Sequence, residues 1–179
     1  MCNIIIRYKN YCMKNMKFKI RPIHQNDNSK VSYIINHVLK EHGCIGEGWG
    51  SSDSEVNNMY DAYQGDYKGY YVVENEHGEV IGCGGFAALQ GATPEEQICE
   101  LRKLYLLAET RGLGVGKKLL EYILLKAKDA EYKEIYLETT PALSAAVGLY
   151  EKLNFRHLPI NRGNTGHQEK CNIFMIRQL

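Results

Sequence analysis

Long apolar runs, paired cysteines and any excess of charge are missing from this chain, and each absence removes a class of function. The hydrophobic block near the start, Ile4-Ile5-Ile6, is far shorter than the ~20 residues that span a bilayer, so no membrane partner is expected. It is also too short for the core of a secretory leader and has no small-residue cleavage site behind it. With no export signal, a cytoplasmic location is expected. The six cysteines, at positions 2, 12, 44, 83, 99 and 171, form no Cys-x-x-Cys pair, which speaks against a zinc ribbon or disulfide framework and for reduced thiols. The histidines are dispersed, and His37 and His42 have no third ligand beside them, so no metal site is expected. With 22 basic and 21 acidic residues the net charge is +1, too little to recruit nucleic acid through a global field.

The 179 residues suffice for one domain that buries roughly 70% of its unfolded surface. Basic residues crowd the start (Arg7, Lys9, Lys14, Lys17, Lys19), and residues 1–16 read as a solvated N-terminal extension. Ordered patterning begins at Lys17, and with no repeat or linker after it residues 17–179 read as a single domain. Phe18 to Ile23 alternates apolar and basic residues as a strand does, and Pro22 confines it to a sheet edge or a strand end. Val31, Ile34, Ile35, Val38 and Leu39 recur at three- and four-residue intervals, predicting an amphipathic helix over 29–40. A short helix is expected over 55–63, capped by Ser54 or Asp53. Between the two lies a glycine-rich loop carrying the only tryptophan, Trp49, the kind of anchor that binding loops use.

Strands are expected at 70–74, 80–86, 99–106, 134–139, 155–159 and 171–179. A helix is expected from about Gly114 to Asp129, and another that Thr140-Pro141 opens as cap and first residue and Asn154 closes in a left-handed conformation. Ala142, Ala146, Leu149 and Leu153 should line the inner face of that last helix. The helix between 99–106 and 134–139 makes a crossover, so those strands should run parallel. The order implies an α/β fold, a central mixed sheet with helices on both faces.

At the strand-to-helix junction stands Arg111-Gly112-Leu113-Gly114-Val115-Gly116-Lys117-Lys118. Glycines let the main chain turn tightly and bring N–H groups close to an oxyanion. The helix beginning here aims its unpaired N–H groups and positive dipole end at the same point, and Arg111, Lys117 and Lys118 add charge. A phosphate-bearing ligand is expected. A Walker P-loop would need glycine where Arg111 stands and Ser or Thr where Lys118 stands, and a dinucleotide fingerprint counted from Gly112 would need glycine at Lys117.

What remains, Arg111-x-x-Gly114-x-Gly116, resembles the acetyl-CoA pyrophosphate loop of the GNAT N-acetyltransferase superfamily, and the order of elements is similar to the GNAT fold. The likeness is specific from Glu100 to Phe155, looser at 18–22 and general over 30–70. It implies that the parallel pair splays open to hold the cofactor's pantetheine arm. Leu104, Tyr105 and Leu106 would then supply backbone contacts to the arm and one N–H toward the thioester oxygen, while Arg111, Gly112, Leu113, Gly114, Val115, Gly116, Lys117 and Lys118 hold the phosphates.

Glu100, eleven residues before Arg111, stands where many GNAT enzymes carry a glutamate base; the residues alone equally allow a solvent-facing carboxylate paired with Arg102 or Lys103. Tyr150, in Gly148-Leu149-Tyr150-Glu151-Lys152-Leu153-Asn154-Phe155, matches the family's general-acid tyrosine. A phenol with a pKa of ~10 stays protonated at neutral pH and so has a hydrogen to offer the departing thiolate, and a core tyrosine is the alternative. Seven residues earlier Leu143 departs from an asparagine that many relatives carry. The resemblance implies an acyltransferase, an acetyl-CoA-dependent N-acetyltransferase acting directly on a primary amine of a small molecule or peptide in a ternary complex. Acidic and aromatic residues over 43–71 (Glu47, Trp49, Asp53, Glu55, Asp61, Tyr63, Tyr70) would suit a cationic amine, and the loop Asn161–His167 would border its pocket. The alternatives are a non-catalytic acyl-CoA-binding sensor and a nucleotide-binding protein; the oligomeric state stays open, a homodimer included.

Overall fold

Period-two alternation along β2 (Gly69–Asn75) sets the layers: Tyr70 and Val72 pack on one face of the sheet, Tyr71 and Val73 on the other, and all four are buried. The computed structural model describes residues 17–167 and 169–179; the expected extension, 1–16, lies outside the described residues. Its seven strands run in the order β1-β2-β3-β4-β5-β7-β6. They are β1 (Phe18–Pro22), β2, β3 (Val80–Ala88), β4 (Ile98–Leu106), β5 (Glu134–Thr139), β6 (Arg156–Leu158) and β7 (Ile173–Gln178). Pro22 does sit in an edge strand, where its missing N–H costs no ladder bond. All pairings are antiparallel except β4 with β5.

Helix α1 (Asn28–Glu41) buries Val31, Ile34, Ile35 and Val38 against the face that carries Tyr70, Val72 and Cys83. The opposite face is covered by α3 (Val115–Asp129), whose Val115, Leu119, Ile123 and Ala127 pack on Cys99, Leu101, Ile135 and Leu137. The α4 helix (Ser144–Lys152) follows β5 and contributes Tyr150 to the same core. Among the described residues no helix is long and apolar enough to cross a membrane.

Two helix expectations are corrected. The stretch 55–63 is a 3₁₀ turn (Ser54–Asn57) and a single α turn, α2 (Met59–Ala62), broken at Asn58, whose φ of −144° is far from helical. Asp53 caps neither, because its carboxylate is committed to Lys103 and His167. Likewise Thr140-Pro141 opens a 3₁₀ turn (Pro141–Leu143) ahead of α4, Thr140 makes no side-chain cap, and Ala142 is exposed rather than facing inward. Asn154 does take the left-handed closing position, at φ 63°.

One strand departs from regular pairing in a way that shapes the site. Gly85 pairs with Arg102 and Cys83 with Tyr105, so β4 carries one residue more than β3 over this span, a bulge. Lys103 takes up the excess at φ 50°. Opposite it the main chain closes in: a Cβ on Gly85 would collide with the Gly69 carbonyl oxygen and come within 2.5 Å of Tyr70 Cδ2. Gly85→Ala is therefore expected to cost about 3 kcal/mol, read as a lower urea midpoint at unchanged slope; a midpoint equal to wild type would show that the strand pair can relax.

Candidate active site

The bulge inverts the alternation of β4. Before it, Cys99 and Leu101 point to the α3 core and Glu100 to the opposite face; after it, Leu104 and Leu106 pack toward α3, while Tyr105 packs with the α1 core. Glu100, Arg102, Lys103 and Tyr105 thus crowd one face. The Lys103 conformation, costly for a residue with a Cβ, is held from two sides. The buried Tyr70 hydroxyl donates to the Lys103 carbonyl oxygen at 3.0 Å, and the Lys103 ammonium pairs with Asp53 and, at 3.1 Å, with Glu55.

Next to the bulge the parallel pair opens. β4 and β5 pair at Ile98↔Glu134, Cys99↔Ile135 and Glu100↔Tyr136 and no further, although both strands continue. A cleft of about 510 Å³ occupies the opening. It is lined by Leu104, Tyr105 and Leu106 from β4, by Arg111, Gly112, Gly114, Gly116 and Lys117, and by Leu149 and Tyr150 from α4. Gly112 and Gly114 have φ of 76° and 81°, and a Cβ on either would meet nothing within 4 Å. Backbone conformation, then, is what demands glycine there. Gly116 differs: its Cβ would press on Leu106 Cδ1 at 2.9 Å, so this glycine lets α3 approach β4. Among the other expected contacts, Val115 turns its side chain into the core, and Leu113 and Lys118 lie on a separate shallow groove with Phe18 and Ile20. Arg111 is ion-paired to Glu41 at the end of α1, a partner seventy positions away.

Tyr150 is 6% exposed, and burial pushes its phenol well above the ordinary value. Its ring packs against Phe155, and among the described residues its hydroxyl has no hydrogen-bond partner, leaving it to face the cleft. Both readings of this tyrosine hold at once: the ring is core and the hydroxyl borders a cavity.

A second cavity, of about 310 Å³, adjoins the cleft. Leu101, Lys103, Tyr105, Glu138, Thr139 and Leu143 line both. Leu143, the departure from the family asparagine, thus stands between them. Trp49 and Asp53 from one loop and Thr165 and His167 from another close it over. The loops are tied together: His167 Nδ1 lies 3.0 Å from the Gly48 carbonyl oxygen and its Nε2 3.3 Å from Asp53.

Glu100 lines this second cavity, 7% exposed, and accepts a hydrogen bond from Arg102 Nε at 2.7 Å. Burial raises its carboxyl above the usual range; Arg102 opposes the rise and the charge of Glu138 adds to it. The expected pairing with Arg102 is present, but in a buried setting rather than a solvent-facing one. Of the acidic residues expected to attract a cation, Asp53 and Glu55 are already answered by Lys103. Sequence reasoning passed over Glu138. Alternation would have shown it, since on β5 it shares the face of Tyr136, the residue paired with Glu100. Among the described residues no group of three His, Cys, Asp or Glu is arranged to hold a metal.

Comparison with known proteins agrees with this geometry. Residues 33–155 match the family model described as the acetyltransferase (GNAT) family. The chain is 38% identical over 161 residues to an uncharacterised N-acetyltransferase, YjgM, of Escherichia coli K12, covering 89% of this chain and 94% of that one. It is 33% identical over 87 residues to human N-acetyltransferase 8B, covering 49% of this chain and 38% of the relative. An acetyltransferase of the GNAT family from Staphylococcus aureus Mu50 superposes with a TM-score of 0.77 at 20% identity, covering 90% of this chain and 99% of that one. A GNAT superfamily phosphinothricin acetyltransferase from Sinorhizobium meliloti, solved in complex with acetyl-CoA, gives 0.70 at 21% identity, covering 92% and 89%. At those identities the structural likeness speaks for the fold.

The tie between the two loops has a signature in solution. Asp53 raises the pKa of His167, by hydrogen bond first and against the opposing pull of burial. A base whose pKa is raised on folding contributes stability that is complete below its unfolded value, ~6.5, and lost as pH climbs through the folded one. NMR titration should place His167 above ~6.5 in the wild type and bring it back in Asp53→Asn; an unshifted His167 would mean that the loops are not tied through this pair.

Proposed function

The chain belongs to the acetyltransferase (GNAT) family, and on that footing we propose that residues 17–179 act as an acetyl-CoA-dependent N-acetyltransferase domain. In this reading acetyl moves directly to a primary amine of a small molecule or peptide while both substrates are bound. The observation that carries the reading is the meeting of the two cavities at the β4–β5 opening. One holds bare backbone at Gly112 and Gly114 and the Tyr150 hydroxyl, the other holds the Glu100 carboxylate.

The residues present fit acetyl-CoA. The N–H groups at the start of α3 and the positive-φ glycines before it would receive the phosphates, with Arg111 and Lys117 beside them. The β4 backbone over 104–106 would hold the pantetheine arm. When bound, acetyl-CoA supplies an activated acetyl group and a thiol leaving group. An ammonium has no lone pair for attack, so Glu100 would first take a proton from the amine, directly or through water; its raised pKa makes it the better base near neutrality. A β4 N–H would stabilise the negative charge that develops on the acetyl oxygen, commonly worth ~3 kcal/mol. Tyr150, kept protonated by its raised pKa, would donate a hydrogen bond to the departing sulfur. Cys171 lines the second cavity, but burial pushes its thiol up to about 12, which leaves little thiolate for a covalent route.

A panel of primary amines assayed by thiol release tests the reading, and binding of acetyl-CoA with no release faster than hydrolysis would favour the sensor alternative. Tyr150→Phe should lower kcat ~10²-fold with acetyl-CoA affinity kept; unchanged turnover would remove Tyr150 from the chemistry. Glu100→Gln should lower kcat to a similar degree, with the defect narrowing as pH approaches the amine's own pKa of about 10, because free amine then arrives without its proton. Glu41→Gln releases Arg111 from a competing carboxylate and should lower the KM for acetyl-CoA about two- to fivefold at low salt. A higher KM would show that Glu41 instead holds Arg111 in its working position.

A further inference from the structure

The second cavity carries four carboxylates, Asp53, Glu55, Glu100 and Glu138, against three bases, Arg102, Lys103 and His167. Every base is engaged. Lys103 serves Asp53 and Glu55, His167 serves Asp53 again, and Arg102 serves Glu100. Glu138 is the one left over. Its two oxygens accept hydrogen bonds from the hydroxyls of Tyr136 at 2.8 Å and Thr165 at 2.7 Å, and among the described residues it has no ion-pair partner. Hydroxyl donors orient a carboxylate without cancelling its charge, and an ionised carboxylate keeps further lone pairs for an incoming N–H. Glu138 also lines both cavities, so a cation held by it would sit where the two bound substrates meet.

Resting on the acyl-transfer reading above, we propose that Glu138 receives the acceptor as an ammonium, and that the site takes primary amines with no carboxylate on the amine-bearing carbon. A second anion on that carbon would lie among Glu100, Glu138 and Asp53 and find no uncommitted cation among the described residues that line this cavity, an arrangement that like-charge repulsion disfavours strongly. The acceptor class is then an alkyl or aralkyl amine or a diamine, rather than an α-amino acid. The ammonium stabilised by Glu138 lies beside the carboxylate that must take its proton, so one residue serves recognition and places the nitrogen for Glu100.

Matched pairs that differ by the carboxylate alone make the test: 1,5-diaminopentane against L-lysine, and agmatine against L-arginine. Two readouts are taken, kcat/KM by thiol release and binding by the fluorescence of Trp49, the sole tryptophan, which lines the cavity. The decarboxylated member of each pair should be preferred by about tenfold or more in both. Glu138→Gln should raise the KM for the diamine about tenfold and shrink the preference while the KM for acetyl-CoA stays within about twofold, Glu138→Asp should restore part of it, and Thr165→Val, which removes a hydrogen bond but no charge, should have the smaller effect. An amino acid that binds as well as its amine, silence of Trp49 toward both members, or a preference that survives Glu138→Gln would overturn the proposal. The wild-type comparison needs no variant. Amine-selective binding without thiol release would leave this assignment standing and fell the transfer reading instead.

Discussion

The whole arrangement turns on a single extra residue in β4. Without the bulge at Lys103, strict alternation would send Lys103 and Tyr105 to the same face as Cys99 and Leu101, into the packed side of α3. With it, Glu100, Arg102, Lys103 and Tyr105 share a polar face while leucines seal the strand's end on the other. A left-handed lysine does not persist by its own preference, so its surroundings must over-determine it. The Tyr70 hydroxyl grips its carbonyl, Asp53 and Glu55 grip its ammonium, and Gly85 removes the Cβ that would keep β2 from closing in.

The bulge also explains the opening next to it. A parallel ladder needs both strands to present donors and acceptors in step. β4 shifts its register at Lys103, three residues beyond Glu100, and Glu100 is the last residue it pairs with β5. The main-chain groups beyond that point have no strand partner on the β5 side and line a cleft instead. Strain at one residue is thereby converted into backbone hydrogen-bonding capacity at the place where an extended ligand arm could use it. The same step sets the electrostatics, because Glu100 is the last paired residue. It is buried enough for its proton affinity to rise, and Arg102, two residues on, limits that rise.

Much of the frame could be read directly from the chain. Amphipathic spacing in α1 and α3, the short apolar run of β2, and the glycines at 112 and 114 are local signals, each legible within a few residues of sequence. Hence the element order, the parallel pair and the glycine turn ahead of α3 were legible. The bulge did not, because neither glycine nor asparagine marks position 103. Its only trace in the sequence is Gly84-Gly85 in the facing strand, where interior glycines signal close backbone approach. The charge map of the second cavity was equally hidden. Asp53 and Glu55 looked available to a cation from their composition, yet Lys103 reaches them from about fifty residues away. A local acidic cluster says little about charge when its counter-ions arrive through topology.

That lesson bears on how such a site can be selective at all. A cavity with four carboxylates looks like an indiscriminate trap for cations, but three of them are held in fixed pairs whose geometry the fold dictates. Those pairs are structural: they hold the bulge, the two loops and the orientation of Glu100. They also engage every base among the described residues lining the second cavity, so that an anionic group on the acceptor meets no free partner there. Discrimination then comes less from an attractive pocket for the right amine than from the absence of compensation for the wrong one. Glu138 supplies the attraction, and the closed pairs around it supply the exclusion.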